Sequence, residues 1–142
     1  MKITKFVLAS VTLLFLYDAA YACRCLPGKP SADISRSVAV FSGKVIKVMF
    51  KQPPYEIGRY TVTFEVERVW KGEIKKKTVL ITRASSCDVR FREGESYLVF
   101  ASMLYDGSGL TTHKCSRTGL VADRKEDIEL LGEGEVPEEG KT

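Results

Sequence analysis

Apolar and polar positions alternate most cleanly over "RYTVTFEVERVW" (59 to 70), where Tyr60, Val62, Phe64 and Val66 stand against Thr61, Thr63, Glu65 and Glu67. A period of two over this length predicts a strand with one buried face. Upstream, "SVAVFSGKVIKVMF" (37 to 50) is rich in β-branched and aromatic residues. Gly43 in its middle predicts a bulge or sharp bend in a long first strand. Pro53, Pro54 and Gly58 separate the two strands. Three further strands are predicted at "TVLIT" (78 to 82), "YLVFASM" (97 to 103) and "LTTHKC" (110 to 115), with "KGEIKKK", "REGES" and "DGSG" as turns.

The period changes once. "DRKEDIELLG" offers Asp123 as N-cap, Glu126 three residues on, apolar Ile128, Leu130 and Leu131, and a closing Gly132, which together predict one short C-terminal helix. Beyond it, "EGEVPEEGKT" is acidic and nearly devoid of apolar residues, so 132–142 is expected to be a disordered tail. Five strands with bends and one helix predict an all-β fold, an OB-like five-stranded antiparallel barrel that closes its own edges, with a sandwich as the competing layout.

The first 22 residues have a different character. Lys2 and Lys5 precede an apolar run from Phe6 to Tyr17, and Ala20 and Ala22 supply an A-x-A cleavage site. The run is shorter than the roughly 20 residues that span a bilayer. Residues 1–22 therefore read as a secretory signal peptide, and the mature chain is expected to begin at Cys23. Secretion to the extracellular space is the expectation; a periplasmic or lipid-anchored location, with Cys23 acylated, is the alternative. Ala20 and Tyr21 fit a lipoprotein site poorly.

Removing the leader takes two lysines and one aspartate from the formal charge of +4. The body 23–131 is mildly basic, as an ordinary solvated surface is, and "KGEIKKK" is a candidate for an extracellular polyanion. His113 is the single histidine of the chain and has no serine or free cysteine near it in sequence that would build a hydrolytic triad, so no enzyme is expected. Trp70, Tyr60, Phe64, Tyr97 and Phe100 suit core packing better than base stacking, and an export signal makes nucleic acid a poor partner.

Cys23, Cys25, Cys87 and Cys115 are an even number behind a leader, which predicts two disulfides. Of the three possible pairings, one would join Cys23 to Cys25 through a strained short ring. The other two both send the N-terminal cysteines far along the chain.

"CRCLPGKP", a C-x-C-x-P at the expected mature N-terminus, resembles the N-terminal netrin-like domain of the tissue inhibitors of metalloproteinases. "RVWKG" (68 to 72) is similar to that family's V-x-K-G stretch, and Cys87 followed by "GESYLVF" (94 to 100) to its cysteine before a G-x-x-Y-L strand. The likeness spans residues 23 to about 131. It implies an OB-like barrel, the pairing Cys23–Cys87 and Cys25–Cys115, and inhibition of a secreted zinc metalloendopeptidase. By the chain-entropy model each such bridge stabilises by about 4 kcal/mol.

The implied chemistry is chelation. The free α-amine and the carbonyl oxygen of Cys23 form a bidentate pair for the protease's zinc, displacing the water of its open coordination position. The α-amine titrates at about 7.7 to 8.0, so its lone pair is available near neutral pH. By the same resemblance Arg24 enters the pocket beside the scissile position, and Cys25, Leu26 and Pro27 complete the contact ridge. Arg24 stands where the family carries a small or short polar residue, and calls for a deep or acid-lined pocket. Ser35 stands where vertebrate relatives have another cysteine. The chain is expected to need no cofactor of its own, to act as a monomer and to meet zinc only in its target. The alternative is a netrin-like binding module for matrix or cell-surface ligands that inhibits nothing.

Overall fold

The structure is a computed structural model that describes residues 23–26 and 28–137. The leader, Pro27 and residues 138–142 lie outside the described residues. Helix α1 (Pro30–Arg36) is followed by β1 (Ala39–Lys51), β2 (Arg59–Lys71), β3 (Lys77–Arg83), β4 (Ser96–Met103), β5 (Leu110–Thr111) and β6 (Gly119–Leu120). A 3-10 turn (Val121–Asp123) then leads into helix α2 (Lys125–Leu131).

The strands close into a ring. Hydrogen bonds run β1 to β2 to β3 to β5 to β4, and β4 returns to β1 through the register Ala39↔Ala101 to Lys44↔Ser96. Among the described residues six strands replace the five expected. The segment 110 to 115 is a strand only at Leu110–Thr111, and Gly119–Leu120 forms a separate short strand on the same side of β4. One ladder is parallel, Leu80 of β3 against Leu110 of β5, so the expected purely antiparallel ring is corrected to a mixed one.

Burial follows from the ring. Phe41, Val45, Val62, Phe64, Leu80, Tyr97 and Val99 fill its interior. Phe64 meets Phe41 and Phe91 edge-on at 5.5 and 5.2 Å between ring centroids, and Phe91 meets Tyr97 at 4.8 Å. β4 and the first five residues of β1 are buried on both faces, because Val40, Leu98 and Phe100 point outward beneath Ile34 of α1 and Ile128 and Leu131 of α2. This explains why "SVAVF" and "YLVFA" read as continuous apolar runs while β2 alternates. The β1–β2 register shifts between Ser42 and Gly43, where the predicted bend falls. A Cβ at Gly43 would lie 2.7 Å from the Glu65 carbonyl oxygen, so no larger residue fits the close approach of the two strands.

Helix α1 was not legible in the sequence. Its seven residues carry one apolar anchor, Ile34, too few for a period, and its start is marked by Pro30 in the first turn. Its end is held from outside: the Lys71 ammonium donates to the carbonyls of Ile34 and Ser35 at 2.8 and 3.1 Å, and Ser37 donates through both N–H and hydroxyl to the Asp33 carbonyl. Helix α2 lies where predicted, but Asp123 belongs to the 3-10 turn and Arg124 occupies the N-cap without a side-chain cap. Gly132 closes it with φ +80.

The V-x-K-G stretch is a fastener at the end of β2. Lys71 holds α1, the Trp70 indole N–H donates to the Gly132 carbonyl at 2.9 Å, and Gly72 turns with φ +83 where a Cβ would strike the Val38 carbonyl oxygen at 2.7 Å. Val69 exchanges two backbone hydrogen bonds with Glu135, of 2.8 and 2.7 Å. Residues 132–137, expected to be part of a disordered tail, thus follow a defined path back onto β2, with Pro137 buried.

Candidate functional site

The N-terminal segment is held at two points. Cys23 is bonded to Cys87 with 5.5 Å between their Cα atoms, and Cys25 to Cys115 with 5.0 Å. The two linkages bridge 64 and 90 residues of chain. All four sulfurs are used, so none is available as a thiolate for metal or redox chemistry. Between the two bridges Arg24 is exposed, Cys23 is half-buried, and Leu26 just beyond is 90% exposed. Leu26 is thus a single exposed aliphatic side chain next to the backbone that the two bridges hold.

Both anchors sit in loops, and each loop is ordered by its own polar groups. Around Cys87, the Ser85 hydroxyl bonds the Asp88 carboxylate and accepts from the Cys87 N–H at 3.2 Å. Around Cys115, the His113 ring Nδ1 accepts from the Cys115 N–H at 3.2 Å, and the Ser116 hydroxyl donates to the His113 carbonyl at 2.8 Å. The Lys114 N–H donates to the Cys87 carbonyl at 2.8 Å, joining the two loops to each other.

Beneath the second loop lies a buried hydroxyl cluster. Thr112 Oγ1 donates to the Phe100 carbonyl at 2.8 Å and stands 2.8 Å from the hydroxyls of Thr118 and Ser116. Thr118 Oγ1 in turn accepts from the Phe100 N–H at 2.9 Å. Both Phe100 backbone groups, which a longer β5 would have taken, are satisfied by threonines instead. That is why "TTHKCSRT" breaks into a turn after Thr111: hydroxyls compete for backbone partners that a ladder would otherwise hold. The signal was present as four hydroxyl residues in eight, but its β-branched content reads equally as strand.

The structure thus brings together Cys23, Arg24, Cys25 and Leu26 with the loops of Cys87 and Cys115. Ser85, Asp88, Thr112, Lys114, Ser116 and Thr118, which position them, were not singled out in the sequence. Lys71, one of the lysines considered for polyanion binding, is committed to α1. Phe64, Tyr97 and Phe100 are core residues, and Trp70 is half-buried on Gly132. Among the described residues no helix is long and apolar enough to cross a membrane. Two disulfides are the mark of an oxidising compartment.

What this segment can do chemically depends on cleavage. In the full chain the Cys23 nitrogen is a peptide nitrogen without a free lone pair. In a chain that begins at Cys23 it becomes an amine, one five-membered chelate ring from its own carbonyl oxygen, on a residue whose motion the Cys87 bridge already restricts. No protein-family model matches the chain, and no curated protein matches it.

Proposed function

We propose that the mature protein is a secreted inhibitor of zinc metalloendopeptidases, an OB-like barrel of the netrin-like type whose Cys23 amine and carbonyl chelate the zinc of the target. The observation that carries this reading is the double tether: disulfides at residues 23 and 25, two loops joined by the Lys114–Cys87 hydrogen bond, and exposed Arg24 and Leu26 on the fixed segment. A chelating terminus binds tightly when it loses little freedom on binding. Two bridges within three residues supply that restriction.

Arg24 is the specificity residue in this account. Its cation directs the protein to a pocket with an acidic wall or floor, and Leu26 adds an apolar contact beside it. The Cys23–Cys87 bridge takes the sulfur that a thioether lipid anchor would need, which favours a secreted chain over a lipoprotein.

Intact mass and N-terminal sequencing of the exported protein, followed by assay against a panel of secreted zinc endopeptidases, test the proposal. The expected result is a free N-terminal Cys23 and inhibition of at least one enzyme at stoichiometric concentration. A blocked or uncleaved terminus, or a panel with no inhibited member, contradicts it and leaves the binding-module reading.

A further inference from the structure

One end of the barrel is not filled. A cavity of about 600 Å³ opens between β1, β2, β3 and the loop that leads into β4, walled by Val48, Tyr60, Val62, Phe91, Tyr97 and Leu120. Its size lies within the usual range of small-molecule sites, roughly 300 to 1,000 Å³, and its walls are mainly apolar and aromatic as such sites are. Arg90, Arg92 and Glu95 also line it, giving one net positive charge.

Thr82 distinguishes it from a packing defect. The residue lines the cavity, is 1% exposed, and its hydroxyl has no hydrogen-bond partner among the described residues. The buried hydroxyls of Ser37, Thr112 and Thr118 are all hydrogen-bonded, and a buried polar group without a partner is costly. The nearby Tyr97 hydroxyl accepts from the Arg92 N–H at 3.1 Å, which fixes the loop over the cavity. Arg92 and Glu95 line the same cavity as Tyr97.

We infer that the barrel end binds an amphipathic carboxylate: an apolar body against Tyr60, Phe91 and Leu120, an anionic head at Arg90 and Arg92, and a second polar group at the Thr82 hydroxyl. Charge complementarity sets the sign of the head, and the unpartnered hydroxyl asks for the second group. The site is separate from the Cys23 segment and stands or falls independently of protease inhibition.

The test titrates the isotope-labelled, disulfide-bonded protein with decanoate, ω-hydroxydecanoate and decylammonium below their micelle concentrations, followed by amide chemical shifts. Saturable shifts are expected at Thr82, Phe91, Tyr97 and Gly119, with decanoate at least tenfold tighter than decylammonium. The ω-hydroxy acid should bind about fivefold tighter than decanoate, an advantage that Thr82→Val removes while leaving the fold intact. Arg92→Gln, which retains the backbone bond to Tyr97, should erode the preference for the anion. Val89 also lines the cavity, and Val89→Trp should fill it and block all three. Shifts that do not saturate or map elsewhere, equal binding of anion and cation, or an ω-hydroxy acid with no advantage in the native protein would each overturn the inference. Should Val89→Trp fail to fold, the near-isosteric Thr82→Val comparison still decides it.

Discussion

The Lys114 N–H lies 2.8 Å from the Cys87 carbonyl oxygen, so the two loops that anchor Cys23 and Cys25 are one unit rather than two independent supports. The position of the N-terminal segment therefore depends on residues far from it in sequence.

Thr112→Val keeps the side-chain shape but removes the donor to the Phe100 carbonyl and the partner of Thr118 and Ser116. A loss of about 2 kcal/mol is expected, because the carbonyl and two hydroxyls stay behind with fewer partners. Urea denaturation measures that cost. The loop of Cys115 should also loosen, so a thiol reagent should reduce the Cys25–Cys115 bridge faster than in the native protein.

Lys71→Met should cost about 1 kcal/mol, since the last carbonyls of α1 lose a cationic donor while the aliphatic stem is kept. If instead its main role is to attract polyanions, stability will not change and retention on a sulfated column will fall. The structure predicts the first pattern.

Asp127 is 4% exposed and accepts from Arg117 Nε and Nη2 at 2.8 and 2.6 Å, fixing α2 to the loop before β6. Asp127→Asn leaves the guanidinium facing a neutral group and should cost about 2 kcal/mol, less than for a fully buried pair because Arg117 is partly exposed. Thermal unfolding at low and high salt checks it: a mostly salt-independent loss is expected, and a loss that salt abolishes would mark a surface pair.

Burial raises the Tyr97 phenol above its ordinary 10.0, and the Glu95 charge adds to the rise, against the lowering effects of the Arg92 N–H and the Arg92 cation. The neutral phenol is thus favoured more in the folded than in the unfolded chain. Its contribution is complete below pH 10 and is lost as pH climbs through the raised folded value. Tyr97→Phe should flatten the alkaline branch of the stability curve while lowering stability near neutrality through the lost Arg92 bond. An unchanged alkaline branch would place the titration elsewhere.

The long strands could be read from the chain because Tyr60, Val62, Phe64 and Val66 carry a period of two, and Gly43 announced its bend. What could not be read depended on partners distant in sequence. Helix α1 is too short to show a period and is completed by Lys71. The segment after Thr111 has strand-forming residues, yet turns because its hydroxyls bind Phe100. The return of Glu135 to Val69 is pure backbone pairing, invisible in a segment whose composition is that of a solvated tail. For the candidate site, the four cysteines and Arg24 were evident, whereas Ser85, Asp88 and the threonine cluster act through geometry that no spacing rule describes.

The central claim is that the Cys23 amine is the inhibitory group, and one added residue tests it. A mature chain carrying a single alanine before Cys23 keeps both bridges and the barrel, but turns the amine into an amide and places an extra residue where the zinc's open position would lie. Inhibition constants of the native and extended proteins against a sensitive zinc endopeptidase, compared at equal thermal stability, are the measurement. Losing a bidentate metal contact costs several kcal/mol and each ~1.4 kcal/mol is tenfold, so the extended protein should be weaker by orders of magnitude. Equal inhibition by the two proteins would show that the amine does not bind the metal.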